Sequence, residues 1–224
     1  KLLYLLSISF LMLQSCSSSD SDNNTNTTSV TDADGNVYQK VTICDQTWTQ
    51  SNLNVSKYRN GDVIPQVTDP TEWANLTTGA WCYYNNDSAN GAIYGKLYNW
   101  YAVNDPRGLA PAGWHIPTDA EWTQLTDCLG GISVAGGKMK ATGTSLWQSP
   151  NAAATNESGF TGLPGGYRDI GGQYDDIGNG GFWWISSESG TTNAFLRILY
   201  YTWGEASSDT VDKTSGFSVR CLED

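Results

Sequence analysis

Turn-forming pairs interrupt this chain at short intervals: Asp34-Gly35, Asn60-Gly61, Asn90-Gly91, Gly165-Gly166, Gly171-Gly172 and Asn179-Gly180-Gly181. Glycine and asparagine reach the backbone conformations that tight turns need, so such pairs end strands and helices. A chain punctuated this way is expected to build short strands joined by loops. Helix signals are confined to the middle. In Pro117-Thr118-Asp119-Ala120-Glu121, Thr118 can cap the first turn and Glu121 can bond back to it, with Gly130 and Gly131 as the stop. Trp122, Leu125, Cys128 and Leu129 then fall on one face. A shorter helix is expected over Gly95 to Val103, where Leu97, Trp100 and Tyr101 recur at three and four. Two segments read as strands: Asn193 to Trp203, rich in aromatic and branched residues, and Gly216 to Leu222. In the second, Phe217, Val219 and Cys221 alternate with Ser218, Arg220 and Leu222, which puts Cys221 on the apolar side.

The start of the chain has a different character. Residues 1–13 hold one positive charge and a run of Leu, Ile, Phe, Tyr and Met broken only by Ser7 and Ser9. A membrane span takes about 20 apolar residues, so this run suits the core of a signal peptide instead. It ends in Leu13-Gln14-Ser15-Cys16, which resembles a bacterial lipobox and implies cleavage after residue 15 and a lipid on Cys16. Residues 17–31 turn to Ser, Asp, Asn and Thr, with Val30 the only large apolar side chain, and read as a disordered tether that spans about 50 Å at full stretch. Asp20 and Asp22 resemble the surface-export signal of Bacteroidetes lipoproteins. The expected organisation is therefore a signal peptide at 1–15, a tether at 16–31 and one globular domain at 32–224. The expected location is the outer membrane, facing the cell surface.

A net charge of −11 with only 12 Lys and Arg excludes nucleic acid as a natural partner, because affinity there comes from cations that displace counterions at phosphates. The same charge opposes direct docking on anionic lipid heads. Besides Cys16 there are four cysteines, Cys44, Cys82, Cys128 and Cys221, an even number that in an exported chain reads as two disulfides. With Cys128 on the inner face of a helix and Cys221 on the inner face of a strand, the expected pairs are Cys128–Cys221 and Cys44–Cys82. The absence of any C-x-x-C spacing, with His115 the sole histidine, argues against structural zinc.

Several blocks in order resemble the Fibrobacter succinogenes major paralogous domain family: Asp34-Gly35-Asn36-Val37-Tyr38, Thr47-Trp48, Asn52-Leu53, Tyr94 to Trp100, Gly113 to Trp122, Pro164 to Arg168 and Gly216 to Cys221. The resemblance runs from about residue 32 to 224. It implies a fold similar to the sulfatase-modifying, formylglycine-generating domain, a variant of the C-type lectin-like fold: mixed α+β, two central helices, short antiparallel strands and long loops. The family often has cysteines where this chain has Gly91 and Ala110, so each bridge has exchanged a partner. Formylglycine-generating enzymes use a thiol pair upstream of the last strand. Residues 193–215 contain no cysteine, so that oxidase chemistry does not carry over.

Candidate sites follow from residue chemistry. His115 can act as a general base, but no nucleophile motif accompanies it, and packing or hydrogen bonding outweighs that role. Asp175, Asp176, Glu188 and Glu205 can serve glycoside hydrolysis if two of them face each other about 5–10 Å apart, whereas most carboxylates of an acidic protein are solvated. Asp169, Asp175, Asp176 and Asn179 share a Gly-rich loop whose oxygens suit a structural calcium ion. The Glu-Pro-Asn, Gln-Pro-Asp and Trp-Asn-Asp signatures of sugar-binding C-type lectins are missing. Ten Trp and twelve Tyr mostly fill the core, yet Trp183, Trp184, Tyr200, Tyr201 and Trp203 crowd the segment that forms binding loops in lectin-like folds, with Trp203 and Tyr201 the first choice for exposure. The resulting expectation is a non-catalytic, lipid-anchored binding domain for a glycan or another surface protein. Two alternatives are an enzyme acting on polysaccharide or sulfated substrates, and a structural adhesin or filament subunit.

Overall fold

In the computed structural model, which describes residues 28–224, the signals at Asp34-Gly35, Asn60-Gly61, Gly171-Gly172 and Asn179-Gly180 fall at turns, whereas Asn90-Gly91 lies inside a helix and Gly165-Gly166 inside a strand. Cys16, the signal peptide and most of the expected tether lie outside the described residues. Strands β1 (Ser29–Thr31), β2 (Val37–Ile43) and β3 (Gln46–Thr49) form an antiparallel meander. The tether expected to reach residue 31 therefore gives way to fold earlier: Val30 sits opposite Tyr38 and packs on the core. Asp32 shapes the intervening turn, its Oδ1 accepting from the N–H groups of Asp34 and Asn36.

Next come α1 (Pro70–Ala74), β4 (Trp81–Cys82), α2 (Ser88–Tyr94), β5 (Leu97–Tyr98), α3 (Trp100–Val103) and β6 (Trp114–His115). The helix expected from Gly95 to Val103 is thus split. Gly95, at φ 76°, ends α2; Leu97 and Tyr98 pair with Cys82 and Trp81; Asn99 then caps α3 by accepting from the N–H of Ala102. Helical spacing of Leu97, Trp100 and Tyr101 was real, but the strand partner outweighed it.

Helix α4 (Asp119–Cys128) begins with the full capping box of Thr118 and Glu121 and buries Trp122 and Leu125. Beyond Gly130 and Gly131 the chain enters α5 (Ile132–Met139) rather than a loop. Its Gly136 and Gly137 look like helix breakers in sequence but are needed for close packing. A Cβ on Gly136 would stand 2.0 Å from the Glu205 carbonyl, and one on Gly137 2.4 Å from that of Ala153. The remaining strands are β7 (Gly165–Arg168), β8 (Tyr174–Ile177), β9 (Gly180–Glu188), β10 (Asn193–Tyr200), β11 (Ala206–Asp212) and β12 (Leu222–Glu223). They complete a five-stranded sheet ordered β1-β2-β3-β12-β6, a three-stranded sheet β11-β10-β9, and the small pairs β4-β5 and β7-β8. The fold is α+β, mostly antiparallel strands with short helices. Among the described residues no helix is long and apolar enough to cross a membrane.

The strand expected over 216–222 is regular only at Leu222–Glu223. Residues 216–218 make single bridges to Arg168, Tyr98 and Trp183 instead. Its alternation fails too, because Ser218 and Arg220 are as buried as Phe217 and Val219: the segment threads between clusters with core on both sides.

The disulfide expectation is corrected. Cys44 bonds to Cys128, their Cα atoms 6.7 Å apart, while Cys82 and Cys221 are buried free thiols. Cys44 occupies the two-residue β2–β3 turn at φ 53° and is exposed, as is Cys128 on the flank of the α4 apolar stripe. The expected pairs assumed one continuous core. Three clusters exist instead, with Cys221 in the first and Cys82 in the third, while α4 packs on the second.

Aromatic rings fill these clusters. Nine of the ten Trp are buried, and Trp48, Trp122, Phe160 and Trp183 meet mainly edge to face at 5.3–6.3 Å between centroids. Buried cations do the rest. Lys96, Lys140, Arg168, Arg197, Lys213 and Arg220 are all buried, half of the chain's Lys and Arg. Long loops leave main-chain carbonyls without ladder partners, and a buried acceptor without a donor is costly. Arg220 donates to the carbonyls of Thr49, Phe160 and Thr161 and to Asn52 Oδ1. Arg168, stacked on Trp73, donates to Val67, Thr68 and Gly172, and Lys140 Nζ to Ala152, Tyr200 and Trp203. With these cations inside, the surface is more acidic than the composition suggests.

Candidate functional site

The three-stranded sheet has two faces because side chains alternate along each strand. On β10, Phe195, Arg197 and Leu199 turn toward α4 and α5, where Arg197 pairs with Asp119. Leu196 and Ile198 turn the other way, where Leu196 is buried in the first cluster and Ile198 is half-buried. Beside them stand Phe182 of β9, opposite Ile198, and Asp209 and Val211 of β11, opposite Leu196 and Ala194. The β7–β8 hairpin and the returning C-terminal segment close the opposite wall with Tyr167 and Phe217. A groove of about 380 Å³ results, within the size range of ligand sites.

Its floor is apolar and aromatic. Tyr167 packs edge to face on Phe182 at 5.0 Å and tilted against Phe217 at 5.6 Å. Its rim holds four carboxylates, Asp169, Asp176, Asp209 and Asp212, and no Lys, Arg or His lines it. Burial and the negative charges of Asp175, Asp176 and Asp169 push the Tyr167 phenol above its usual range. Ile170, 55% exposed, stands at the lip. Such a surface can stack on a ring or an aliphatic stem and accept hydrogen bonds from hydroxyl, ammonium or guanidinium groups, while it repels anions.

The residues singled out from sequence divide. Trp183 and Trp184 are fully buried in the core, one on each side of β9, with their indole N–H groups held by Asn52 Oδ1 and the Tyr98 carbonyl. Tyr200 and Tyr201 are half-buried and Trp203 is 42% exposed; Tyr200 lies 5.2 and 5.0 Å from their rings. This small aromatic cluster touches the groove through Asp176, whose Oδ1 accepts from the Tyr200 hydroxyl and from Asn179 Nδ2, both at 3.2 Å. In the loop expected to suit calcium, Asp175 Oδ1 accepts from the N–H of Asp176 and Asp169 Oδ1 from that of Gln173. Among the described residues no three His, Cys, Asp or Glu side chains converge as a metal would need. Glu188 lies near Lys213 at 3.5 Å, and neither it nor Glu205 lines the groove.

His115 is bound at both nitrogens, Nδ1 to Asp224 at 2.7 Å and Nε2 to Glu121 at 2.9 Å. Burial alone would lower its pKa, but those carboxylates outweigh it and hold it above the usual imidazole range. It ties β6, the residue after β12 and the α4 cap together.

Sequence reasoning found Asp169 and Asp176 but missed the floor, Asp209 and Asp212. Alternation in Ala194 to Tyr200 was the available signal for Leu196 and Ile198. Tyr167 and Phe217 belong to the groove only through tertiary contact.

Compared with known proteins, residues 41–223 match the model of one family, described as the Fibrobacter succinogenes major domain. No curated protein and no solved structure matches the chain.

Proposed function

The chain belongs to the Fibrobacter succinogenes major domain family, and from that premise we propose that it is a non-catalytic binding domain. It takes a glycan or another surface protein into the groove over β9–β11. The groove is the observation that carries this reading: an aromatic floor for contact area and a carboxylate rim for direction. The nearby Tyr200, Tyr201 and Trp203 extend the contact surface. In this reading the domain is a C-type lectin-like variant, held at the outer membrane by a lipid on Cys16 and presented at the cell surface. Replacing Val211 with Trp fills the groove without removing a core side chain. The test is a glycan array together with a panel of surface proteins. Binding by the native chain and none by Val211→Trp is the expected result; equal binding by both overturns it.

A second reading, hydrolysis of a neutral polysaccharide, is favoured by one feature, the four aspartates around a single groove. Release of reducing ends that disappears in both Asp176→Asn and Asp209→Asn would establish it in place of the first.

A further inference from the structure

We infer that the groove's ligand is an extended peptide segment that carries lysine or arginine and lies against the free edge of β11; this rests on the groove being the binding site. Three features converge on that chemistry. The first is charge. Asp169, Asp176, Asp209 and Asp212 surround the opening, and no cation lines it. Half of the chain's Lys and Arg are fixed in the interior on main-chain carbonyls, so they cannot swing out to neutralise the rim. Such a rim draws in a cation and excludes sulfated or uronic glycans.

The second is the floor. Half-buried Ile198 and Val211, over buried Phe182 and Leu196, give an apolar strip between the carboxylates. A lysine or arginine side chain has a matching layout, an aliphatic stem that buries on apolar surface and a charged head that reaches polar partners. Each rim carboxylate accepts from the chain at one oxygen, Asp169 from Gln173, Asp176 from Asn179 and Tyr200, Asp209 from Thr210 and Asp212 from Thr214, and a neutral sugar would leave their negative charge unbalanced. A bare metal ion would leave the apolar strip uncovered, and no three acidic side chains converge to hold one among the described residues.

The third is the wall. β11 is an outer strand: it pairs with β10 from Ala206 to Asp212, and no strand pairs with its other side among the described residues. The entry to β11 is covered by α5 at Gly136, but Ser208 and Asp209 are exposed. An open edge offers main-chain donors and acceptors at the strand spacing, and a peptide that adds there gains affinity from backbone bonds and specificity from alternate side chains. Because Asp209 and Val211 face the groove, alternate residues of an added strand project toward the same side. The backbone edge is what favours a peptide over a free amine.

The experiment uses the full chain and a fluorescent peptide of alternating lysine and valine, with its glutamate-for-lysine twin and an N-methylated copy as controls. Fluorescence anisotropy is expected to show saturable binding of the lysine peptide only. The double variant Asp209→Asn, Asp212→Asn is expected to weaken it at least about tenfold with an unchanged unfolding midpoint, and added salt to weaken it in the native chain. Methylation of the peptide backbone is expected to weaken it by about the same factor. Equal binding of the lysine and glutamate peptides, or indifference to the two Asn substitutions, overturns the inference. Indifference to N-methylation overturns the strand pairing. If instead a neutral oligosaccharide binds, and binding is lost in Val211→Trp, the inference fails while the groove stands as the site. If neither probe binds in a way sensitive to Val211→Trp, both fail.

Discussion

The two faces of the β9–β11 sheet carry similar side chains to opposite ends. On the inner face Trp183, Phe195 and Leu199 meet α4 and α5; on the outer face Leu196, Ile198 and Val211 floor an open groove with acids at its rim. Alternation places an apolar residue on each face but does not say what covers it. Cover is supplied from far along the chain, by helices 119–139 on one side and only partly by residues 167–170 and 215–217 on the other. Half-buried Ile198 and Val211 beside charge, resting on the buried layer of Leu196, Phe182 and Phe217, make a place to bind on top of a core.

Breaking the inner face has the largest expected effect. Trp183→Ala removes a buried indole and the donor it gives Asn52 Oδ1, and should lower unfolding free energy by about 5 kcal/mol in urea titration. Next is the bridge that pins α4 over that face. Cys128→Ser opens a loop with a separation of 84 residues, and the loop-entropy model gives a loss of about 4.5 kcal/mol. Peptide mapping without reduction should find Cys44 and Cys128 as the linked pair and leave Cys82 and Cys221 as thiols reached only after unfolding. Val211→Trp on the outer face should change stability by less than about 1 kcal/mol while abolishing ligand binding, which separates the faces directly. A loss like that of Trp183→Ala would show that Val211 is held as tightly as the core residues beneath it.

The smallest effect is expected at the brace that holds the start of α4. The folded His115 is held above its unfolded value of 6.5 by Asp224 and Glu121, so its stabilisation is complete below that pH and is lost as pH rises through the folded value. The gap in melting temperature between the native chain and His115→Gln should therefore be widest below pH 6.5 and narrow as pH rises through the folded value. A gap independent of pH would mean that the ring acts by packing alone.

What was legible in the sequence was local. The α4 capping box needs only residues 118–121, the β10 strand only its own aromatic and branched content, and the β1–β2 turn only the Asp34-Gly35 pair. Helix α5 was missed because Gly136 and Gly137 signal a break, and their need for close approach to Glu205 and Ala153 exists only in the folded chain. The aromatic residues at 183, 184, 200, 201 and 203 looked alike in sequence, yet two are core and three lie at the surface cluster, since each depends on which element covers it.

By itself the sequence determined the family, the α+β character, four of the six turn positions, the central helix and the acidity, because each rests on neighbouring residues or on composition. Tertiary structure alone decided which cysteines pair, which half of the cations go inside, and where four aspartates ring an apolar floor. Those outcomes join residues as far apart as 44 and 128, or 169 and 212. Packing of three separate clusters, not any periodicity along the chain, brings them within reach.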